Sequence, residues 1–115
     1  MKVIIAGGRN FCDYKKLCQV CNKALSKQKQ IEIVSGTAKG ADKLGEQYAI
    51  NNGYEIKQFP ADWDKYGKSA GYKRNEQMAK YADALIAFWD GKSKGTRHMI
   101  DLAKRYELKV KIIYF

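Results

Sequence analysis

Small and polar residues crowd the stretch VSGTAKGADKLGEQYA, residues 34–49, where a strand pattern gives way to a helix pattern. The crowded turn contains Ser35, Gly36, Thr37, Gly40 and Asp42. Packing does not require so many small residues, but an anion does, because backbone N–H groups at a helix start attract negative charge. The turn therefore favours phosphate binding. A structural alternative stays open, in which Ser35 and Thr37 cap the helix and Asp42 interacts with its dipole.

The charge balance is a second signal for an anionic ligand. Lys and Arg number 22 against 12 Asp and Glu, a net charge of +10, which suits nucleotides, phosphosugars or nucleic acid. The lysines are spread along all the predicted helices, which indicates a solvated basic surface. Three of the four arginines, Arg9, Arg74 and Arg97, lie in or beside turns that contain glycine. Because a guanidinium fork matches phosphate oxygens, the arginines are the better candidates for a site.

Three further turns have a similar composition. They are GGRNF (7–11), PADWDKYGKSAGYKRN (60–75) and WDGKSKGT (89–96), and each follows a predicted strand. The first lacks the G-x-G-x-x-G spacing and the last lacks the order G-x-x-x-x-G-K-[ST], which disfavours an ordinary NAD or FAD site and a Walker motif. Ser93, Gly95 and Thr96 at a helix start could still bind phosphate. Trp63 and Trp89 lie at strand–loop edges, where an aromatic ring either joins the core or stacks on a base.

Hydrophobic periodicity predicts nine alternating elements. The strands are 2–7, 31–36, 54–59, 84–89 and 109–115, and the helices are 12–29, 40–52, about 69–82 and 96–107. Such alternation requires a parallel sheet with right-handed crossovers and helices on both faces. We therefore predict one α/β domain over residues 1–115, a Rossmann-like three-layer sandwich whose five-stranded parallel sheet has the order 3-2-1-4-5. All four unusual turns then follow carboxyl ends of strands, on the rim where ligands bind.

Composition narrows the class of protein further. An apolar fraction of 45% with 30% charged residues is ordinary for a soluble globular chain. Neither a membrane-spanning run nor a signal-peptide pattern is present, so we expect a cytoplasmic protein with no membrane partner. Cys12, Cys18 and Cys21 do not complete a four-ligand zinc site, because His98 is distant in sequence. We expect thiols that are reduced and packed in the core, with no metal and no cofactor.

The motifs together resemble one known family. GGR after the first strand, SGTAKGAD after the second, and then PADW, AGYKRNEQM and FWDGKSKGT resemble the YspA-like, YpsA-related branch of the SLOG superfamily. This superfamily of Rossmann-like domains includes the cytokinin-activating phosphoribohydrolases and the DNA-processing protein DprA. The resemblance implies a nucleotide-derived ligand, such as a nucleoside phosphate, an ADP-ribose-like molecule or a cyclic nucleotide signal. It also implies a homo-oligomer and a role in bacterial or phage conflict systems.

The resemblance also assigns individual positions. Gly7, Gly8 and Arg9 match the first loop of the family, and Ser35, Gly36, Gly40 and Asp42 match the second. Arg74 and Met78 resemble the R-K-x-x-M signature of the phosphoribohydrolases, and Gly91, Gly95 and Thr96 resemble their G-G-x-G-T-x-x-E loop. In that register the catalytic Glu falls on Met99, whose thioether cannot act as a general acid or base. Asp42, Asp62 and Asp90 are the carboxylates that could substitute.

We therefore expect a non-catalytic protein that senses or sequesters a nucleotide-derived small molecule, and we assign no catalytic residue. One alternative is a nucleotide N-glycosidase or phosphoribohydrolase that uses one of these aspartates. The other is a DprA-like nucleic-acid binder, which ranks last because no stretch interleaves arginines with aromatic residues. The predicted ligand-binding residues are Gly7, Gly8, Arg9, Phe11, Ser35, Gly36, Ala38, Gly40, Asp42, Asp62, Trp63, Arg74, Asn75, Trp89, Gly91, Ser93, Lys94, Gly95 and Thr96.

Overall fold

The computed structural model describes residues 1–115 and contains five parallel strands. The strands are β1 (Lys2–Gly7), β2 (Glu32–Ser35), β3 (Glu55–Gln58), β4 (Ala84–Trp89) and β5 (Lys109–Tyr114). The helices are α1 (Tyr14–Leu25), α2 (Ala41–Asn52), α3 (Trp63–Tyr66), α4 (Ala70–Tyr81) and α5 (Lys94–Arg105), with a 3-10 turn at Gly67–Ser69. The sheet order is β3-β2-β1-β4-β5, which confirms the predicted α/β fold.

The central strands explain why the sheet needs helices on both faces. β1 and β4 are apolar runs with almost every side chain buried, and they pair in register from Val3 opposite Ala84 to Gly7 opposite Phe88. Alternate side chains of such strands point to opposite faces, so both faces must be covered. α1 and α2 cover one face, where Leu17 and Tyr48 join the core, and α4 and α5 cover the other.

The observed helix ends differ from the ends that the hydrophobic periodicity predicts, and capping side chains explain the differences. α1 begins only at Tyr14, because the Asp13 side chain accepts a hydrogen bond from the Lys16 amide and caps the helix. α5 begins at Lys94, two residues earlier than predicted, because Ser93 provides its cap. The segment predicted as a loop, 60–69, contains the short helix α3 and the 3-10 turn. Gly53 ends α2 in the left-handed conformation that glycine favours at a helix C-terminus.

One of the three cysteines is fully packed in the core, as the sequence predicts for all three. Cys21 is fully buried in the core under α1, and burial raises the pKa of its thiol to about 12. Cys18 is partly buried beside it, whereas Cys12 is exposed. Cys12 is therefore an exception to the predicted core packing, since it lies in the loop before α1.

None of the helices is both long enough and apolar enough to pass through a lipid bilayer.

Gly45 marks the closest approach of α2 to the central strand β1. A Cβ built at this position would lie 2.8 Å from both Cβ and Cγ2 of Ile5. Alanine favours a helix interior by roughly 0.5–1 kcal/mol over glycine, but overpacking against a buried strand outweighs that gain. We expect Gly45→Ala to lower the free energy of unfolding by about 1–3 kcal/mol, as measured by urea denaturation.

Gly71 in α4 is the matched control. A Cβ there would have its nearest neighbours at 3.7 Å, which is ordinary van der Waals contact. Gly71→Ala should leave the free energy of unfolding unchanged or slightly higher. Equal losses in the two variants would contradict the packing described for α2 and β1.

Candidate functional site

A cleft of about 350 Å³ opens at the carboxyl ends of the central strands. We call it the rim cleft. Its walls come from the loops after β1, β2 and β4 and from the starts of α2, α4 and α5. Ten of the predicted ligand-binding residues line it, namely Gly7, Gly8, Arg9, Ala38, Asp42, Arg74, Asn75, Ser93, Gly95 and Thr96. The parallel topology therefore brings together three loops that are distant in sequence.

Arg74 is the cationic centre of the rim cleft. Its Nη1 donates to the Gly36 carbonyl oxygen, and its Nε donates to Asn75 Oδ1 at 3.0 Å. Burial lowers the pKa of Arg74, while the nearby carboxylate of Asp42 raises it and the charge of Arg9 lowers it again. A guanidinium stays protonated under such shifts. Arg9 is exposed and lines the same cleft, so two cations converge there.

Asp42 is a buried carboxylate on the wall of the rim cleft. One of its oxygens, Oδ2, accepts a hydrogen bond from the Ala38 amide at 3.2 Å. Burial raises the pKa of Asp42 to about 6, and the Ala38 amide and the Arg74 charge oppose that rise. The carboxylate is therefore mostly ionised at neutral pH and balances part of the charge of Arg74.

Gly36 and Gly40 have structural reasons for being glycine. A Cβ on Gly36 would lie 2.8 Å from Asp42 Oδ2 and 2.9 Å from Arg74 Nη1, so a side chain would separate these charged groups. Gly40 has a φ of +80°, and its Cβ would lie 2.2 Å from the carbonyl oxygen of Gly8. Neither residue lines the rim cleft. Their role is to hold the turn against the loop after β1 and against Arg74.

The loop after β4 is ordered by its own side chains. Asp90 Oδ1 accepts hydrogen bonds from the amides of Lys92 and Ser93, both at 2.8 Å, and these bonds lower the pKa of Asp90. Ser93 Oγ accepts from the Thr96 amide at 3.4 Å and from the Thr96 hydroxyl at 3.2 Å. The start of α5 lies at the rim cleft, where Ser93 caps the Thr96 amide and the amides before it have no acceptor within the helix.

Asn75 connects two walls of the rim cleft. Its Nδ2 donates to the Gly95 carbonyl oxygen at 3.3 Å and lies 3.2 Å from His98 Nδ1, while its Oδ1 accepts from Arg74. The side chain is buried, so these bonds fix α4 against α5.

Several predicted site residues lie outside the rim cleft. Phe11 is in the core, with its ring 4.5 Å from that of Phe88 and 5.0 Å from that of Phe115. Ser35 is buried and donates to Glu46 at 2.6 Å. Asp62 caps α3 by accepting from the Lys65 amide. The lining likewise omits Gly36, Gly40, Trp63, Trp89, Gly91 and Lys94.

The two tryptophans have different surroundings. Trp89 packs against Tyr114 with ring centroids 5.8 Å apart, and its Nε1 donates to the Ser93 carbonyl oxygen at 3.1 Å. Trp63 is 55% exposed and lines a second cavity of about 350 Å³, which we call the side cavity. Arg9, Ala38 and Arg74 line both cavities, so the side cavity adjoins the rim cleft.

Sequence reasoning missed some of the lining. Asn10, Asp90 and Phe115 line the rim cleft but are absent from the predicted ligand-binding residues. Asn10 directly follows Arg9, so the first loop was the signal that could have identified it. Phe115 reaches the cleft from the last residue of the chain, and no motif could have indicated that.

Asp42 makes stability depend on pH. Because burial raises its pKa from 3.8 to about 6, the folded chain retains a proton there that the unfolded chain loses at lower pH. The stability that this proton supplies is lost as the pH rises through about 6. Between about pH 5 and pH 7.5, wild type should lose about 1–2 kcal/mol relative to Asp42→Asn, measured by urea denaturation at each pH.

Asp90→Asn is the control for this titration. Backbone hydrogen bonds lower the pKa of Asp90, so its carboxyl is ionised in both the folded and the unfolded chain throughout this pH range. The difference in stability between wild type and Asp90→Asn should stay constant from about pH 5 to pH 7.5. A constant difference for Asp42→Asn as well would show that Asp42 is not buried as described.

Comparisons with known proteins agree with the motifs and the fold. The model of the YspA, cpYpsA-related SLOG family matches residues 1–66. Gene 61 protein of Mycobacterium phage D29 is 31% identical over 116 residues, covering 95% of this chain and 93% of the phage protein.

A solved structure of DNA processing protein A from Helicobacter pylori, described for its single-stranded DNA binding mode, matches with a TM-score of 0.69. The match covers 97% of this chain but only 64% of that one, and at 23% identity it shows a shared fold alone. Family membership follows from the model match and from the phage relative. The chain belongs to the YspA, cpYpsA-related SLOG family.

Proposed function

We propose that the protein binds a nucleotide-derived small molecule and holds its phosphate in the rim cleft. The observation that carries the proposal is the convergence of Arg9 and Arg74, from two separate segments, on one cleft of about 350 Å³. Cavities of roughly 300–1,000 Å³ are the usual size for small-molecule sites. Arg74 is held by the Gly36 carbonyl and by Asn75, so its remaining N–H groups are oriented for a ligand.

The helix starts support an anion at the same place. Ala38 contributes to the cleft from the turn before α2, and Ser93, Gly95 and Thr96 contribute from the start of α5. Helix N-termini carry a partial positive charge that stabilises phosphate. A Cβ on Gly95 would meet nothing within 4 Å, so the absence of a side chain leaves room for a ligand to approach the backbone.

The carboxylates of the rim cleft suit the sugar of a nucleotide. Both backbone hydrogen bonds to Asp90 go to Oδ1, so Oδ2 can accept from a hydroxyl group. Ionised carboxylates are acceptors only, and they bind ribose hydroxyls in other nucleotide sites of this fold type. A cleft with two arginines and two aspartates therefore matches a sugar phosphate better than a bare anion.

The residues disfavour catalysis at this site. Met99 lies on the wall of the rim cleft and is 1% exposed, at the position where the related phosphoribohydrolases have their Glu. Asp62 caps α3 outside the cleft, and the lowered pKa of Asp90 prevents it from donating a proton near neutral pH. Asp42 is the remaining candidate acid, because burial raises its pKa to about 6, although the Ala38 amide and the Arg74 charge oppose that rise and leave it mostly ionised at neutral pH.

The test for catalysis is release of free base or ribose phosphate from a panel of nucleotides, with Asp42→Asn as the matched variant. We expect no turnover by either protein. Turnover of about 1 per second or faster by wild type, lost in Asp42→Asn, would replace the binder with an N-glycosidase.

Single-stranded DNA is a second candidate ligand. The net charge of +10 favours it, and the structural neighbour from Helicobacter pylori is described as binding single-stranded DNA. A DNA complex would weaken steeply as salt is raised, because counterions are released along the phosphate backbone. Strong salt-dependent oligonucleotide binding, with no binding of mononucleotides, would favour this candidate over the small molecule.

We propose further that the ligand is a signal that the protein removes from solution, a role that the relative from a phage supports. Mass spectrometry of small molecules that co-purify with the native protein would identify it. Self-association stays a prediction, for which light scattering is the measurement.

The two arginines give the direct test of the small-molecule proposal. A charge-assisted hydrogen bond contributes about 1.5–3 kcal/mol, so Arg9→Ala and Arg74→Ala should each weaken binding of ADP-ribose by roughly tenfold to a hundredfold. Isothermal titration calorimetry measures the dissociation constants. Arg97→Ala is the control, because Arg97 is exposed on α5 and pairs with Asp101 at 4.0 Å, outside both cavities. Affinity unchanged by loss of Arg74 in a folded variant would contradict the assignment.

A further inference from the structure

The two edges of the sheet differ in length and composition. β3 forms one edge with four residues, of which Glu55, Lys57 and Gln58 are exposed. β5 forms the other edge with six residues, KVKIIY, and its charged residues are Lys109 and Lys111. Edge strands are commonly short or charged, because an open edge can pair with a strand of another chain. β3 follows that rule, whereas the longer and more apolar β5 is the edge that can accept another strand.

The backbone groups of β5 point alternately to β4 and to the open edge. The Lys109 amide donates to the Asp83 carbonyl oxygen at 3.2 Å, and the Phe115 amide donates to the Trp89 carbonyl oxygen at 3.2 Å. Because the direction of these groups alternates along a strand, every second residue between those two points away from β4. The residues whose N–H and C=O groups face the open edge are therefore Val110, Ile112 and Tyr114.

β5 is complementary to a second copy of itself in one antiparallel register. When Ile112 lies opposite Ile112 of the second copy, Val110 lies opposite Tyr114 and Tyr114 lies opposite Val110. Directly opposed residues with outward backbone groups exchange both of their hydrogen bonds in an antiparallel pair. Val110 and Ile112 also pack against the core on the face that α4 and α5 cover, so their side chains are already oriented. Apolar side chains that meet across two strands stabilise the pairing.

The same register keeps the lysines of the two copies apart. Lys111 lies opposite Ile113 of the second copy, and Lys109 lies opposite Phe115. A register centred on Lys111 would place that lysine opposite itself, and one centred on Val110 would place Lys109 opposite Lys111. Like charges that face each other across two strands are destabilising. A register centred on Ile113 leaves the outward groups of Val110 without an opposite residue in β5, so one register remains favoured.

We propose that β5 pairs with β5 of a second copy of this chain, antiparallel and centred on Ile112, so that one sheet continues through both copies. The family resemblance implies self-association without a surface, and the new inference is the surface and its register. The net charge of +10 on each copy opposes this pairing, and salt screens such exposed charges. The dimer should therefore become tighter as salt is raised, which is opposite to the behaviour of a DNA complex.

Hydrogen exchange of the wild-type protein tests the open edge residue by residue. In the dimer the amides of Val110, Ile112 and Tyr114 are hydrogen-bonded to the second copy. Dilution of the protein should make these amides exchange at least about tenfold faster, as followed by NMR at several concentrations. The amides of Lys111 and Ile113 are bonded to β4, so their exchange should not depend on protein concentration.

β3 provides the control edge for this experiment. The Phe59 amide donates to the Ser35 carbonyl oxygen at 2.8 Å, so the alternation directs the amides of Ile56 and Gln58 away from β2. These two amides should exchange rapidly at every protein concentration. Slower exchange at Ile56 and Gln58 on concentration, with no change at β5, would assign the interface to the wrong edge and contradict the proposal.

Proline substitution tests the same edge by removing an outward N–H. Proline is tolerated on an edge strand where its nitrogen faces solvent, and the Tyr114 side chain is 61% exposed. Because each substitution acts twice in a symmetric dimer, Tyr114→Pro should raise the dissociation constant by roughly tenfold to a hundredfold, as measured by sedimentation equilibrium. Gln58→Pro makes the matching change on β3 and should dimerise as wild type does.

The outcomes separate this proposal from the ligand site. A wild type that stays monomeric at about 1 mM would overturn it. A dimer that Tyr114→Pro leaves intact, or whose β5 amides exchange independently of concentration, would place the interface elsewhere and also overturn it. If Tyr114→Pro does not fold, the exchange of wild type decides alone. Tyr114 and Gln58 line neither the rim cleft nor the side cavity, so failure here leaves the proposed phosphate site standing.

Discussion

A guanidinium partly withdrawn from water needs fixed partners, and the site depends on how Arg74 obtains them. The Gly36 carbonyl comes from the end of β2, Asn75 comes from α4, and the charge of Asp42 comes from the first turn of α2. Burial lowers the pKa of Arg74, and the charge of Asp42 is the one neighbouring charge that raises this pKa. Since Asn75 also binds the Gly95 carbonyl, the start of α5 is tied to the same group. One cation thus joins four elements.

The aspartate that balances Arg74 is itself unfavourable for folding. Burial raises the pKa of Asp42 to about 6, so ionisation at neutral pH reduces the stability of the folded chain. Arg9 makes no ion pair within the chain, although it lies near enough to Arg74 to lower its pKa. The cleft therefore contains one partly compensated cation and one free cation. A bound phosphate would compensate both, and this is the physical reason for placing the phosphate between them.

The sequence determined the fold almost completely, because alternating apolar runs allow few topologies. It determined the rim cleft in part. The composition of the turn predicts Gly36 and Gly40 as ligand contacts. Three-dimensional distances add a packing reason for both, because a Cβ would clash around Asp42 and Gly8. Phe11 follows Arg9 by two residues and still belongs to the core. Local composition identifies a special turn, but it does not separate residues that line the rim cleft from residues that allow others to line it.

The two tryptophans also show that local composition does not reveal which residues line a cavity. Both end a strand or follow one, and their neighbouring residues are equally rich in glycine, aspartate and lysine. The Trp89 ring packs against Tyr114, and its Nε1–H donates to the Ser93 carbonyl oxygen. Both its ring and its donor are therefore already occupied within the chain. Trp63 has no aromatic ring packed against it and no hydrogen-bond acceptor for its N–H, and it lines the side cavity together with Arg9 and Arg74. Lysines spread over the surface attract many anions without distinguishing them. Discrimination must therefore come from the few groups that line the two cavities, among which Trp63 is an exposed indole with no aromatic partner.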